Sequence, residues 1–130
     1  MNLVETISLP NELMVEIWDA SREIAEDTTL VKLVIRMKVE IREDYFEDPE
    51  HFRQVRSVFG TEEFYRYEKE RTFVNTVDKE KVFNEMLEDF KRDSIPYLGR
   101  PNFPERFAKT KHDEIQKHYY KYRHILDKEG

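Results

Sequence analysis

Between Val31 and Ile41 every odd position is apolar (Val31, Leu33, Ile35, Met37, Val39, Ile41), and Lys32, Arg36, Lys38 and Glu40 fill every even position but Val34. A period of two sustained over eleven residues, rich in β-branched types, fits a strand with one face in a core and the other in water. A single wet face calls for an antiparallel sheet. The fold therefore has to be built around one long amphipathic strand.

The rest of the chain supplies partners for it. A second long strand is expected at Phe64 to Asn75, with Tyr65, Tyr67 and Phe73 on one face beside the stems of Lys69 and Arg71. Its other face, with Arg66, Glu68, Glu70 and Thr72, is polar, which suits cross-strand charge pairing and guards an edge. Three helices are expected. The first spans 49–59, capped by Asp48, opened by Pro49 and closed by Gly60, with Phe52, Val55 and Phe59 as its stripe. The second spans 78–93, capped by Asp78 with Val77 stapled onto Val82, and carries Val82, Phe83, Met86, Leu87 and Phe90 inward. The third spans 104–124, with Phe107, Ile115, Tyr119, Tyr122 and Leu126 on one side. Between the last two, 94–104 holds three prolines and a glycine, so it is expected to be irregular, yet Ile95, Tyr97, Leu98 and Phe103 are too apolar for a solvated linker.

The segment before Val31 has two readings. Leu13, Met14, Ile17, Trp18, Ile24 and Ala25 fit a helical stripe, whereas Leu13, Val15 and Ile17 fit a strand following a short strand at Val4–Leu9. The run Leu9-Pro10-Asn11-Glu12-Leu13, continued by Glu16-Ile17-Trp18-Asp19-Ala20-Ser21-Arg22 and Ile24-Ala25-Glu26-Asp27, resembles a family of small uncharacterised bacterial proteins. The likeness covers the first third of the chain. In that family glycine stands where Glu12 and Glu26 stand here. The resemblance implies a β-meander closed by hairpin turns, and it brings no function, cofactor or site residue.

The expected architecture is thus α+β: an antiparallel sheet of about four strands with about three helices largely on one face, in a single domain, 1–130. A chain of this size buries roughly 65–70% of its unfolded surface and stands without staples. With no cysteine there is no disulfide, thiolate zinc site or thiol nucleophile, which fits a reducing compartment. Met1–Thr6 has no basic region followed by an apolar run of signal length, and no apolar stretch spans a bilayer, so the expected location is cytoplasmic and away from membranes.

Charge and motif narrow function mainly by exclusion. The net charge of −6 disfavours nucleic acid, although residues 106–124 carry six Lys and Arg against two acids. In that stretch Lys117-His118-Tyr119-Tyr120-Lys121-Tyr122-Arg123-His124 interleaves cations with rings, as a single-stranded nucleic acid would use. An amphipathic helix keeping Lys and Arg in water explains the same residues. His112, His118 and His124 recur every six residues and cannot converge on one ion from a single helix; Glu114 and His118 share a face, where a surface pair suffices. The acidic run Glu43–Glu50 lacks the spacing of a calcium loop, and no nucleophile elbow or phosphate loop is present. No cofactor, metal or catalytic residue is assigned. The residues favour a non-catalytic interaction or assembly module with a protein partner or a second copy. Its candidate surface is Tyr97, Leu98 and Phe103 with Lys117, Tyr120, Lys121 and Arg123. The alternatives are a small-molecule site or enzyme lined by Trp18, Tyr65, Tyr67 and Tyr97, and nucleic-acid binding through the last helix.

Overall fold

The computed structural model describes residues 1–129. Among these residues the chain is α+β, with a five-stranded antiparallel sheet and four helices. The strands are β1 (Asn2–Ser8), β2 (Met14–Asp19), β3 (Arg22–Ala25), β4 (Thr28–Glu40) and β5 (Glu62–Asn75). The helices are α1 (Pro49–Phe59), α2 (Lys79–Leu98), α3 (Phe103–Lys117) and α4 (Tyr119–Glu129). Two compact units partition the chain: the first is Met1–Lys38 with Phe64–Arg100, the second Val39–Glu63 with Pro101–Gly130.

β4 behaves as its alternation dictates. Val31, Leu33, Ile35, Met37 and Val39 are fully buried and Ile41 nearly so, while Lys38 and Glu40 are exposed. In the first unit, β4 pairs β2 (Val15↔Met37, Ile17↔Ile35, Asp19↔Leu33), which sets Val15 and Ile17 on the same inner face. The segment with two readings is therefore β-structure. β1 pairs β2 from Asn2↔Asp19 to Ser8↔Met14. The turn between them puts Glu12 at φ 72, a left-handed conformation that favours glycine. In the β3–β4 turn the positive φ falls on Asp27 (57°), so Glu26 is not the position that calls for glycine.

α2 supplies the other half of this interior with Phe83, Met86, Leu87 and Phe90. It is fastened to the strands by Lys91–Glu5 (2.9 Å), by Tyr67 against Phe90 (centroids 5.4 Å apart) and by the Asn11 amide, which donates to the carbonyls of Leu98 and Arg100 at 2.8 Å each. In the second unit α1, α3 and α4 enclose a core of Ile41, Val55, Ala108, Ile115, Tyr122 and Leu126. Asp48 caps α1 by accepting from the Glu50 N–H at 2.9 Å, and Gly60 ends it at φ 83.

Several expectations need correction. Residues 94–98 are helical, with Pro96 inside the last turn of α2. A proline there forgoes only one intrahelical bond, and the buried Leu98 anchors the turn. The last helix is two helices, parted at His118. Phe73 leaves the face of Tyr65 and Tyr67, because its φ of 56° breaks the alternation and leaves it 80% exposed. Val77 is 92% exposed and staples nothing, and Asp78 makes no side-chain cap.

Candidate functional site

The sheet carries an open position. Asp19 faces Leu33 and Arg22 faces Leu30, three residues further along each strand, so β2 and β3 follow one register along the same edge of β4. The interruption between them is local: the Asp19 carboxylate accepts from the Ser21 N–H (2.9 Å), and the Ser21 hydroxyl accepts from the Lys32 N–H (3.0 Å). This Asx turn replaces one rung of the ladder. The β1–β2 pairing runs as far as Asn2, opposite Asp19, and among the described residues β3 has β4 on one side and no strand on the other.

The phase of the ladder decides which backbone groups face that vacancy. Ala20 N–H donates to the Lys32 carbonyl at 2.9 Å. Hydrogen-bonded and non-bonded pairs alternate in an antiparallel ladder. Arg22, two residues on, therefore turns its N–H and C=O toward Leu30. Glu23 turns both of its backbone groups away from β4.

A groove of about 470 Å³ lies there. Asn2, Asp19, Ser21 and Glu23 form its strand side, and Lys79, Glu80 and Phe83 at the start of α2 form the other. Phe83 and Thr29 are 6% and 2% exposed and make its floor, where the Thr29 hydroxyl bonds that of Thr76 at 2.8 Å. Asp19, Glu23 and Glu80 against Arg22 and Lys79 give the rim both signs of charge.

The two outer strands contrast. In β5, seven of fourteen residues are charged, which discourages addition of another strand. β1 has one charge, Glu5, already held by Lys91, and Leu3 and Val4 are about half exposed. The β1–β3 side is thus the unprotected one.

The sequence-derived surface divides differently from expectation. Leu98 (0% exposed) and Phe103 (4%) are interior side chains and present nothing to a partner. Tyr97, 44% exposed, belongs to the first unit, where burial and the neighbouring Tyr67 and Tyr97 hydroxyls raise the Tyr65 pKa. Those three hydroxyls lie near enough to interact electrostatically. Trp18 does not join them: it faces Val34 on the opposite side of the sheet, its indole N–H donating to Glu16 at 2.9 Å. In the second unit Lys117 ends α3, while Tyr120 (86% exposed), Lys121 and Arg123 lie on α4. Arg123 is paired with Asp127 at 3.7 Å, and the Tyr122 ring between the two cations is buried. The groove residues were missed by sequence reasoning, and the one available signal was the polar Asp19-Ala20-Ser21-Arg22 interrupting an otherwise alternating run.

No helix among the described residues is long and apolar enough to cross a membrane. No known family matches the chain, and neither a curated protein nor a solved structure shows significant similarity to it.

Proposed function

We propose that this chain is a non-catalytic protein-interaction module that receives an extended polypeptide segment as an added strand beside β3. The observation that carries the reading is the vacant sheet position at Arg22–Ala25, open on its outer side and floored by Thr29 and Phe83. Strand addition draws its affinity from backbone hydrogen bonds and its specificity from pockets for alternate side chains. Glu23 offers the backbone pair, and the mixed charges of the groove offer the contacts. The four-residue length of β3 suits a short segment. The net charge of −6 favours a partner with basic residues over a second acidic copy. We also read the chain as one cooperative domain, because each compact unit is assembled from two separated stretches of sequence.

The test is selection of binders from a displayed random-peptide library, followed by backbone amide shift mapping of the selected peptides. The reading expects binders that perturb Arg22–Ala25 and Lys79–Asn84 first. Binders that perturb only other surfaces contradict it. Dimerisation through β1 in light scattering, with peptides failing to bind, would replace the foreign segment with a second copy.

A further inference from the structure

The second unit holds a separate pocket of about 340 Å³, where the start of α1 meets α3. Its walls are rings: Phe46, and the imidazoles of His51 and His112, stacked with centroids 3.9 Å apart and planes 21° from parallel. Its rim is acidic, with Glu47, Asp48 and Asp113. The cation among the lining residues, Lys109, is already paired with Glu105 at 3.0 Å. His112 is 8% exposed, and its Nε2 lies 3.0 Å from Gln54 Oε1. The Gln54 oxygen at 3.0 Å is closer to Nε2 than the Gln116 amide nitrogen at 3.4 Å, which favours the tautomer with the proton on Nε2 and the lone pair on Nδ1. No hydrogen bond engages that Nδ1 among the described residues.

Three ligand classes can be weighed against these groups. An anion is repelled by the three carboxylates. A transition-metal ion finds two donors at chelating separation, His51 Nε2 and Asp48 Oδ2 at 3.5 Å, but no group of three or more His, Cys, Asp or Glu able to hold an ion occurs among the described residues. A flat cation satisfies every feature together. It stacks on imidazole and phenyl faces, donates in its own plane to carboxylates, and gives a further N–H to an imidazole lone pair.

We infer that the Phe46–His51–His112 pocket is a binding site for a guanidinium group, such as an arginine side chain. The flat shape matters, because a compact ammonium ion gains the charge attraction without the stacking. The groups facing the imidazoles are Glu47 and Asp48 before α1, and Lys109 and Asp113 from α3. Burial and the neighbouring His51 disfavour charge on His112, and protonating it in acid adds positive charge to the wall and opposes a cation.

The experiment is titration of the intact chain with arginine ethyl ester, followed by the ring Cε1–H signals of His51 and His112, with lysine ethyl ester in parallel. Saturable shifts of both rings with the arginine ester are expected, with binding weaker in acid, where His112 gains charge, than at neutral pH. Glu47 and Asp113 are exposed, so Glu47→Gln and Asp113→Asn keep the fold and are each expected to weaken binding about three- to fivefold. The inference is overturned if the rings do not respond, if the lysine ester binds as tightly, or if neither substitution changes the affinity.

Discussion

Two adjacent proline substitutions separate the two sides of β3. Arg22 turns its backbone toward β4 and Glu23 turns its backbone outward, a phase set by the Ala20–Lys32 bond at 2.9 Å. Arg22→Pro removes a ladder donor, a net loss of about 1 kcal/mol, and leaves the Leu30 carbonyl without its partner, about 1–3 kcal/mol more. Leu30 is only 8% exposed, so water does not readily substitute. Glu23→Pro removes a donor that β4 does not use. Proline is tolerated where an edge N–H faces solvent, and its stiffness also narrows the unfolded ensemble, so the net change stays within about 1 kcal/mol. In a chain of this length 1 kcal/mol moves the midpoint by about 4 °C. Thermal unfolding by circular dichroism should therefore show Tm lowered by about 8–15 °C for Arg22→Pro, and by less than about 4 °C for Glu23→Pro. Equal losses would refute the phase assigned to β3, and with it the outward-facing backbone of Glu23.

Other consequences are accessible to standard measurements. Burial and the neighbouring His51 hold the His112 pKa below its usual value, against smaller opposing effects of Asp113 and Asp48. The folded state then disfavours the charged ring, so stability is full above the unfolded imidazole pKa of about 6.5 and falls as pH drops through that value toward the folded one. Urea midpoints across that range should show the loss, and His112→Gln should flatten it. Glu12→Gly relieves a left-handed residue and should stabilise by about 0.5–1 kcal/mol, whereas Gly60→Ala meets no atom within 4 Å and should cost about 1–3 kcal/mol through φ 83 alone; chemical denaturation reads both. Because neither compact unit is a continuous stretch of chain, calorimetry should give one unfolding transition, and two resolved transitions would contradict cooperative folding.

How much was legible depended on the kind of signal. The burial of Val31 through Ile41 followed from alternation, since eleven residues of period two admit no competing reading. α1 was legible to the residue because Asp48, Pro49 and Gly60 each impose a local constraint. The break at His118 has no glycine or proline to announce it. It follows from packing: Tyr122 and Leu126 reach the core of Ile41, Val55 and Ile115 from a re-aimed α4, while Tyr119 stays 45% exposed. Phe73 was misplaced because a single positive φ shifts parity, and phenylalanine gives no hint of one. The β3 groove was illegible for a deeper reason. It lies where no strand among the described residues pairs the outer side of β3, and the absence of a neighbour leaves no trace in composition or periodicity.

Residue-resolved amide exchange at Glu23 addresses the vacant strand position most directly. In the free chain Glu23 should exchange rapidly while Arg22 is protected by the ladder, and a groove-binding peptide should slow Glu23 with little change at Arg22. A Glu23 amide protected as strongly as that of Arg22 in the peptide-free monomer would mean that the edge is already closed.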